Sequence, residues 1–342
     1  MSLDKSAVRK PSLNGRIAVI VWAAMQDRAM RWAEVMNAPI YYVSRKPFGS
    51  SSVFLTPLRY ILQAVDTWLI LWRQRPELVH VTNPPFLAPL AVYLYCQITG
   101  AKYMMDTHSP ALYSRRWGWT FLFQRYLAKH AYLNIVDQER FKRMFEECGA
   151  RAVVLQRPPV NVLLPRPIER LGNGIVEITV INTFAPDEPL EPIYQAARKL
   201  TDVVFYILGD KRLAPPGTFD NVPENVCFTG YLHGNEYWQR VMSSTAVMCL
   251  TTYPYSLLAG AQDGMLAGIP LIISRQPVLI EYFTKGTIFV DHTPDSIVDG
   301  IQQLRSREAE LRREILDLLT EKRLLWEKNY QVINEIIRDI LL

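Results

Sequence analysis

Ala259-Gly-Ala-Gln-Asp-Gly-Met-Leu-Ala-Gly-Ile-Pro-Leu-Ile-Ile-Ser274 is the stretch whose reading decides the fold. It reads as a short helix closed by Gly268, then Pro270, then a buried parallel strand. Glycine suits the left-handed position just past a helix, and proline cannot continue one. An apolar run at 246–251 reads as a strand before it, so the helix opens where a strand has just ended. Thr252 at that strand end, with Gly260 and Ala261 at the helix start, places free N–H donors and a positive dipole end where a phosphate can sit. Asp263, about a turn into the helix, offers a carboxylate able to accept hydrogen bonds from both hydroxyls of a ribose. Phosphate donors beside a diol acceptor make a nucleotide site.

Outward from this stretch the same alternation fills the chain. Strands are expected at 16–22, 39–44, 77–82, 102–106, 132–136 and 152–155, with helices at 27–36, 55–75, 86–99, 120–130 and 138–148. A proline-rich stretch from Arg157 to Pro167, followed by Gly172-Asn-Gly174, interrupts the pattern and reads as a linker. Strands then recur at 176–182, 203–208, 226–229, 246–251, 271–274 and 287–290, with helices at 190–200, 235–243 and 294–305. Residues 308–342 read as helical throughout. Strands alternating with helices imply α/β architecture: two doubly wound, Rossmann-like domains with parallel sheets, facing a crevice. The expected division is a loose tail at 1–14, a first domain at 15–165, a second at 173–306 and a helical segment at 307–342. In such folds ligands gather outside the carboxyl ends of the strands.

At 342 residues, 49% hydrophobic and 21% charged, the chain has the length and composition of two globular domains. Its four cysteines, Cys96, Cys148, Cys227 and Cys249, are scattered without a C-x-x-C pair or a neighbouring histidine, and read as buried free thiols in a reducing compartment. Structural zinc is not expected. The polar opening, with Lys5, Arg9 and Lys10, lacks the pattern of a secretory leader. Apolar runs at 68–72 and 86–96 fall short of the ~20 residues that cross a bilayer. The charge is uneven: residues 1–165 hold 21 Lys+Arg against 10 Asp+Glu, a net +11, while residues 166–342 hold 17 against 23, a net −6. That asymmetry points the first half at an anionic surface, or is an ordinary solvated face. Cations and aromatics are not interleaved on a nucleic-acid motif, so no nucleic-acid partner is expected.

Candidate chemistry falls just after strands. Asp106-Thr-His-Ser109 follows the strand at 102–106, and His108 there either meets sugar hydroxyls or bonds neighbouring backbone. Asn83-Pro-Pro85 opens a helix with Asn83 as its cap. The loop Trp22-Ala-Ala-Met-Gln26 lacks the glycines of a dinucleotide fingerprint, which argues against a nicotinamide or flavin. In the second half, Lys211 and Arg212 follow the strand at 203–208 and are candidates to reach a diphosphate, or mark a common charged turn. Gly230 lets a flat base approach the backbone, with Tyr231 and Leu232 beside it. Arg115-Arg-Trp-Gly-Trp-Thr-Phe-Leu-Phe-Gln-Arg125 mixes cations with large aromatics; with Lys129 and the helix at 55–75 it forms a basic docking face for a membrane, or its aromatics are core. No Asp-x-Asp triplet or histidine cluster calls for a metal.

Val79-His-Val-Thr-Asn-Pro-Pro85, Asp106-Thr-His108, Phe228-Thr-Gly230 and Gln262-Asp-Gly-Met-Leu-Ala-Gly-Ile-Pro270 together resemble the GT-B fold glycosyltransferases, most nearly those of the family 4 type. The Asn-Pro-Pro and Asp-Thr-His pieces, with Asn182-Thr-Phe-Ala-Pro-Asp-Glu188, are similar to lipid-linked-oligosaccharide mannosyltransferases. The resemblance spans about residues 16–305. It implies a last helix that crosses back onto the first domain. It also implies Asp263 on the ribose of a nucleotide-sugar, His108 as the catalytic residue at the donor sugar, and Gly230 to Leu232 along the base. Asn83, Asp106 and Trp22 would lie on the acceptor side. Three positions depart from the pattern. Tyr255 stands at the first acidic position of the family's Glu-x7-Glu, and Thr183 and Glu188 stand where an arginine and a lysine usually grip the diphosphate. Missing cations forfeit charge-assisted bonds of roughly 1.5–3 kcal/mol each.

The function so implied is transfer of a sugar from a UDP- or GDP-sugar to a lipid-linked or glycan acceptor, in polysaccharide or glycoconjugate biosynthesis. The expected enzyme is a hexosyltransferase needing no cofactor beyond its nucleotide-sugar. It would work in the cytoplasm, peripheral on an anionic membrane. The three departures support an alternative: a degenerate relative that binds or scaffolds within a glycan-assembly complex.

Overall fold

Ile17-Ala-Val-Ile-Val21 contains no polar side chain, and all five residues are buried, as in a parallel strand covered on both faces. The structure, a computed structural model, describes residues 16–45, 55–114, 117–157 and 175–342. The expected tail at 1–14, nearly all of the linker stretch, and Arg115 and Arg116 lie outside the described residues. The chain divides into two compact units: Met1–Pro158 with Trp326–Leu342, and Pro159–Leu325.

Unit 1 is built on β1 (Ile17–Val21), β2 (Ile40–Tyr42), β3 (Leu78–Asn83), β4 (Lys102–Thr107), β5 (Leu133–Val136) and β6 (Ala152–Val154). They form one sheet in the order β2-β1-β3-β4-β5-β6, every neighbouring pair parallel. The helices are α1 (Asp27–Val35), α2 (Thr56–Gln74), α3 (Leu87–Thr99), the short α4 (Pro110–Tyr113), α5 (Phe121–His130) and α6 (Glu139–Glu146). Right-handed crossovers put α1 on one face and α2, α3, α5 and α6 on the other, because only the first connection runs back toward β2. On the α1 face, Trp32 packs with His80, Trp326 and Tyr330.

Unit 2 repeats the plan with β7 (Val176–Ile181), β8 (Val203–Leu208), β9 (Val226–Gly230), β10 (Ala246–Cys249), β11 (Leu271–Ser274) and β12 (Thr287–Val290). Their order is β12-β11-β10-β7-β8-β9, again parallel throughout. Helices α7 (Glu191–Lys199), α8 (Gly234–Met242), α9 (Ala259–Leu266) and α10 (Pro277–Tyr282) cover the two faces, each over its own apolar cluster. The two doubly wound parallel sheets are as the alternation predicts.

The last helix, α11 (Pro294–Leu341), is continuous over 48 residues, where the sequence suggests a break near 306. Ser306 and Arg307 are tolerated because each bonds within the helix: Ser306 Oγ to the Gln303 carbonyl at 3.0 Å, and Arg307 to Glu310 at 2.8 Å. From Trp326 onward α11 belongs to unit 1, where Ile333, Ile337 and Leu341 join the core with Ile17, Leu78 and Met104. Among the described residues no helix is long and apolar enough to cross a membrane.

All four cysteines are free. Cys96 and Cys249 are buried, as expected; Cys148 is half-buried and Cys227 is exposed, because its β9 lies at the sheet edge, which corrects the reading of four buried thiols. Burial pushes the Cys96 thiol up to about 12, so it stays protonated.

Candidate functional site

In unit 2 the carboxyl end of the sheet gathers the candidate donor residues. Helix α9 lies unusually close to its strands, and its two glycines make that possible. A Cβ on Gly260 would stand 2.8 Å from Ile181 and 2.9 Å from the Cys249 sulfur, and one on Gly264 would stand 2.6 Å from Leu271. Ala261 is fully buried on the same helix. The first intrahelical bond runs from the Gln262 N–H to the Leu258 carbonyl. The N–H groups of Gly260 and Ala261 thus precede it, as at any helix start. Asp263 is buried, and Tyr237 Oη on α8 donates to its Oδ2 at 2.7 Å. Tyr237 orients this carboxylate, and no sequence signal marked it, since it lies 26 residues away on another helix.

Thr252 is exposed beside this helix start, its N–H donating to the Asp187 carbonyl at 2.7 Å. Next to it Thr251 Oγ1 donates to Asp187 Oδ2 at 2.6 Å, and Ser274 Oγ accepts from the Thr251 N–H at 2.8 Å while meeting His292 Nε2 at 2.8 Å. This chain of bonds ties the ends of β10, β11 and β12 to the loop after β7.

That loop carries the departures from the resemblance. Phe184 adopts a left-handed φ of 59°, which turns its ring inward against Phe228 and Phe219. Gly209, after β8, leaves room for it: a Cβ there would lie 2.2 Å from the Asn182 carbonyl oxygen and 2.7 Å from the Phe184 ring. The loop then folds Glu188 back, so that its carboxylate accepts from both the N–H and the hydroxyl of Thr183. Burial pushes the Glu188 carboxyl up, against these two bonds, and Asp187 adds repulsion. An acid therefore occupies the donors that open this loop.

Two neighbouring cations, Arg212 and Arg275, are engaged elsewhere. Arg212 is exposed and grips Asp210 with two nitrogens, Nη2 at 2.7 Å and Nε at 2.9 Å, and this bond brings Asp210 down to about 2. Arg275 donates to the Phe289 carbonyl at 2.8 Å and lies 3.6 Å from Asp291. Lys211 is exposed at the same turn as Arg212. Gly230 has φ +81° with open space around it, so its backbone conformation and not crowding requires glycine. Tyr231 is exposed, its ring 4.5 Å from that of His233, and Leu232 is half-buried.

In unit 1 the carboxyl end of the sheet holds a buried polar cluster. Asp106 is fully buried at the end of β4, where Arg28 from α1 clasps it with Nε at 2.9 Å and Nη2 at 2.7 Å and also reaches the Leu155 carbonyl at 2.9 Å. Burial pushes the Asp106 carboxyl up, but Arg28 and the rings of His108 and His80 hold it well below the usual carboxylate range. His108 projects from this base: its Nε2 lies 3.7 Å from Asp106 and 3.1 Å from the Gln26 amide, and its side chain remains partly exposed. Behind it, Ser109 Oγ donates to Asp137 at 2.5 Å and accepts from Gln138 at 2.9 Å. Burial raises the Asp137 carboxyl despite Arg28 and Ser109.

The remaining unit 1 candidates are internal. Asn83 is the last residue of β3, fully buried, and its Nδ2 donates to Gln124 at 2.9 Å. It does not cap α3, whose N-cap is Phe86, because two prolines separate the strand end from the helix. Trp22 is buried, its Nε1 donating to Thr67 at 2.8 Å and its ring stacked on Tyr60. The three residues expected on the acceptor side, Asp106, Asn83 and Trp22, thus support the end of the sheet from within, while His108, expected at the donor sugar, is left partly open. Among the described residues, no three His, Cys, Asp or Glu side chains gather as a metal site would require.

Two parallel six-stranded sheets of this order, closed by a C-terminal helix shared with unit 1, define the GT-B fold. Solved structures that resemble the chain have that fold. Sucrose-phosphate synthase from Thermosynechococcus elongatus matches with a TM-score of 0.73 at 13% identity, over 95% of this chain and 99% of that one. Anabaena HepE in complex with UDP and glucose matches with a TM-score of 0.65 at 14% identity, over 95% and 99%. An Escherichia coli structure described as trehalose-6-phosphate bound with UDP-2-fluoro glucose matches at 0.67 and 10% identity, over 94% and 98%. These neighbours are glycosyltransferases, and at such identities the likeness establishes the fold. No family model and no curated protein matches the sequence.

Proposed function

We propose that this chain is a glycosyltransferase that takes its sugar from a nucleotide-sugar of the UDP or GDP type. The observation that carries the reading is Asp263: a buried carboxylate, oriented by Tyr237, in the helix that follows β10 at the carboxyl end of a GT-B sheet. Its place suits the two hydroxyls of a ribose, with the N–H groups of Gly260 and Ala261 one turn earlier for phosphate. Thr252, Gly230, Tyr231 and Leu232 would complete the donor side, and Lys211 or Arg212 would supply positive charge, Arg212 by exchanging Asp210 for phosphate. UDP in the HepE complex and the UDP-sugar analogue in the E. coli structure favour a uridine donor. Departure of a nucleoside diphosphate is helped mainly by electrostatics, here a helix start and a nearby cation. His108, partly open and backed by ionised Asp106, is the residue assigned to the donor sugar.

The finer reading is a family 4-like hexosyltransferase acting on a lipid-linked glycan in polysaccharide or glycoconjugate assembly. Its site of action would be the cytoplasmic face of an anionic membrane, met through the basic first half of the chain. A donor screen coupled to nucleotide release tests it, with Asp263→Ala and His108→Ala beside the wild type. Release by the wild type that neither substitution reduces would overturn the site.

A second reading is favoured by Glu188. A carboxylate on the Thr183 donors, with Arg212 held by Asp210, suits a binding or scaffold subunit that turns nothing over. Calorimetry separates the two: heat of binding with a UDP- or GDP-sugar supports the enzyme, and its absence for every donor, with and without acceptor, supports the scaffold.

A further inference from the structure

Helix α2 is inside-out. Its buried face presents Gln63 and Thr67 along with Leu71, and these polar groups are bonded inward: Gln63 Nε2 donates to the Val43 carbonyl at 2.7 Å, and Thr67 Oγ1 accepts from Trp22 Nε1 at 2.8 Å. Its outer face presents Leu58, Ile61, Val65, Leu69 and Trp72, a stripe of spacing 3, 4, 4 and 3, with Ile61 61% and Leu69 65% exposed. A soluble helix has the opposite pattern.

The stripe continues sideways. Helix α3 packs beside α2, contains no charged residue, and exposes Leu94 and Ile98. Helix α5 packs beside α3 and exposes Leu122, Phe123 and Tyr126, with Trp119 just before it. Exposed apolar side chains thus recur on three helices that pack in sequence, α2 on α3 and α3 on α5, where single scattered ones would need no explanation.

Its charges have one sign. Arg59 and Arg73 lie on α2, and Arg125 and Lys129 on α5; the one acid on the three helices, Asp66, is paired with Arg45. Where α3 and α5 end, a hollow of about 510 Å³ is lined by Lys102, Lys129, His130 and Arg151 and by no Asp or Glu. Cations around an apolar face repel a second copy of the same face and attract anionic headgroups.

We infer that the α2–α3–α5 face docks on an anionic bilayer, its apolar stripe at the acyl boundary and its cations among the headgroups. This deepens the membrane side of the function proposed above by assigning the surface, and it is independent of the nucleotide site.

Vesicle flotation tests it on the full chain. The wild type should float with vesicles of phosphatidylglycerol and phosphatidylcholine, and should stay down with phosphatidylcholine alone or in high salt. Ile61→Glu/Leu69→Glu alters exposed positions only and should need about tenfold more lipid or greater for half-flotation. Lys102→Glu/Lys129→Glu should weaken flotation and its salt dependence together. Wild-type flotation unchanged by the first double variant overturns the inference, as does failure of the wild type to float. So does a wild-type dimer in sedimentation that the Ile61→Glu/Leu69→Glu variant converts to monomer, which would make the face a contact between copies. Donor calorimetry on the same variants should match the wild type, so a failure here is distinguishable from failure of the donor site.

Discussion

Removing the Arg28 guanidinium, as in Arg28→Met, leaves the Asp106 carboxylate at the end of β4 with no exposed surface and without the cation that clasps it. The pair itself is not a large net source of stability, because desolvating both ions offsets much of their attraction; breaking it is costly for the same reason. The side chain of Arg28 is 11% exposed and that of Asp106 0%, which places the pair in the regime where loss of one partner costs about 3–5 kcal/mol. The bond to the Leu155 carbonyl falls within that figure. Urea unfolding at pH 7, read as a shift in midpoint at constant slope, measures it. The pH dependence has a definite sign. Asp106 is held below its unfolded value, so it contributes stability above about pH 4, and that contribution fades as the pH falls through the folded value. The gap between wild type and Arg28→Met should therefore narrow on acidification. The double variant Arg28→Met/Asp106→Leu should lose less than Arg28→Met alone, since no unpaired charge remains. A single-variant cost under about 1 kcal/mol, or a double variant equal to the sum of its singles, would refute the reasoning.

Other expected outcomes concern unit 2. Glu188→Gln should tighten UDP-sugar binding by on the order of 1 kcal/mol in calorimetry, because it removes a negative charge from the loop proposed to meet the diphosphate. In the wild type the same gain should emerge as the pH falls through the raised Glu188 value, and the variant should lack it. Gly209→Ala forces a Cβ to 2.2 Å from the Asn182 carbonyl, and should lower the thermal midpoint by the equivalent of about 1–3 kcal/mol. Tyr237→Phe deletes the 2.7 Å bond to Asp263 and should weaken donor binding by roughly tenfold, a charge-assisted bond's worth; an unchanged Kd would detach Tyr237 from the site.

The alternation of strands and helices was legible because buried parallel strands such as Ile17–Val21 and Leu271–Ser274 are unbroken apolar runs. The α9 segment was legible through Gly268 and Pro270, which stop a helix by local chemistry alone. What escaped were pairings between distant residues. Arg28 meets Asp106 across 78 positions, and nothing in either neighbourhood announces the other. Asn83 reads as a cap because asparagine is a favoured N-cap and proline a favoured first helical residue, and only the sheet register, which pairs it with Thr107, shows it inside a strand. Helix α2 has the same difficulty in reverse: its periodicity is plain in the sequence, but periodicity does not say which face is buried. The sequence marks Gly260 only as an N–H donor at a helix start, and the crowding that forbids a side chain there depends on Ile181 and Cys249, which lie far away in the chain or on another strand.

The end of α11 has a consequence for how the protein is made. Synthesis runs from the amino terminus, yet the core of unit 1 is unfinished until Ile333, Ile337 and Leu341 arrive. Unit 2, contiguous from Pro159 to Leu325, has all its residues outside the ribosome earlier. The first sheet translated is therefore the last to be completed, with Trp32 uncovered until Trp326 and Tyr330 emerge. During that interval the apolar floor beside β1 is open to holdase chaperones and to other nascent chains.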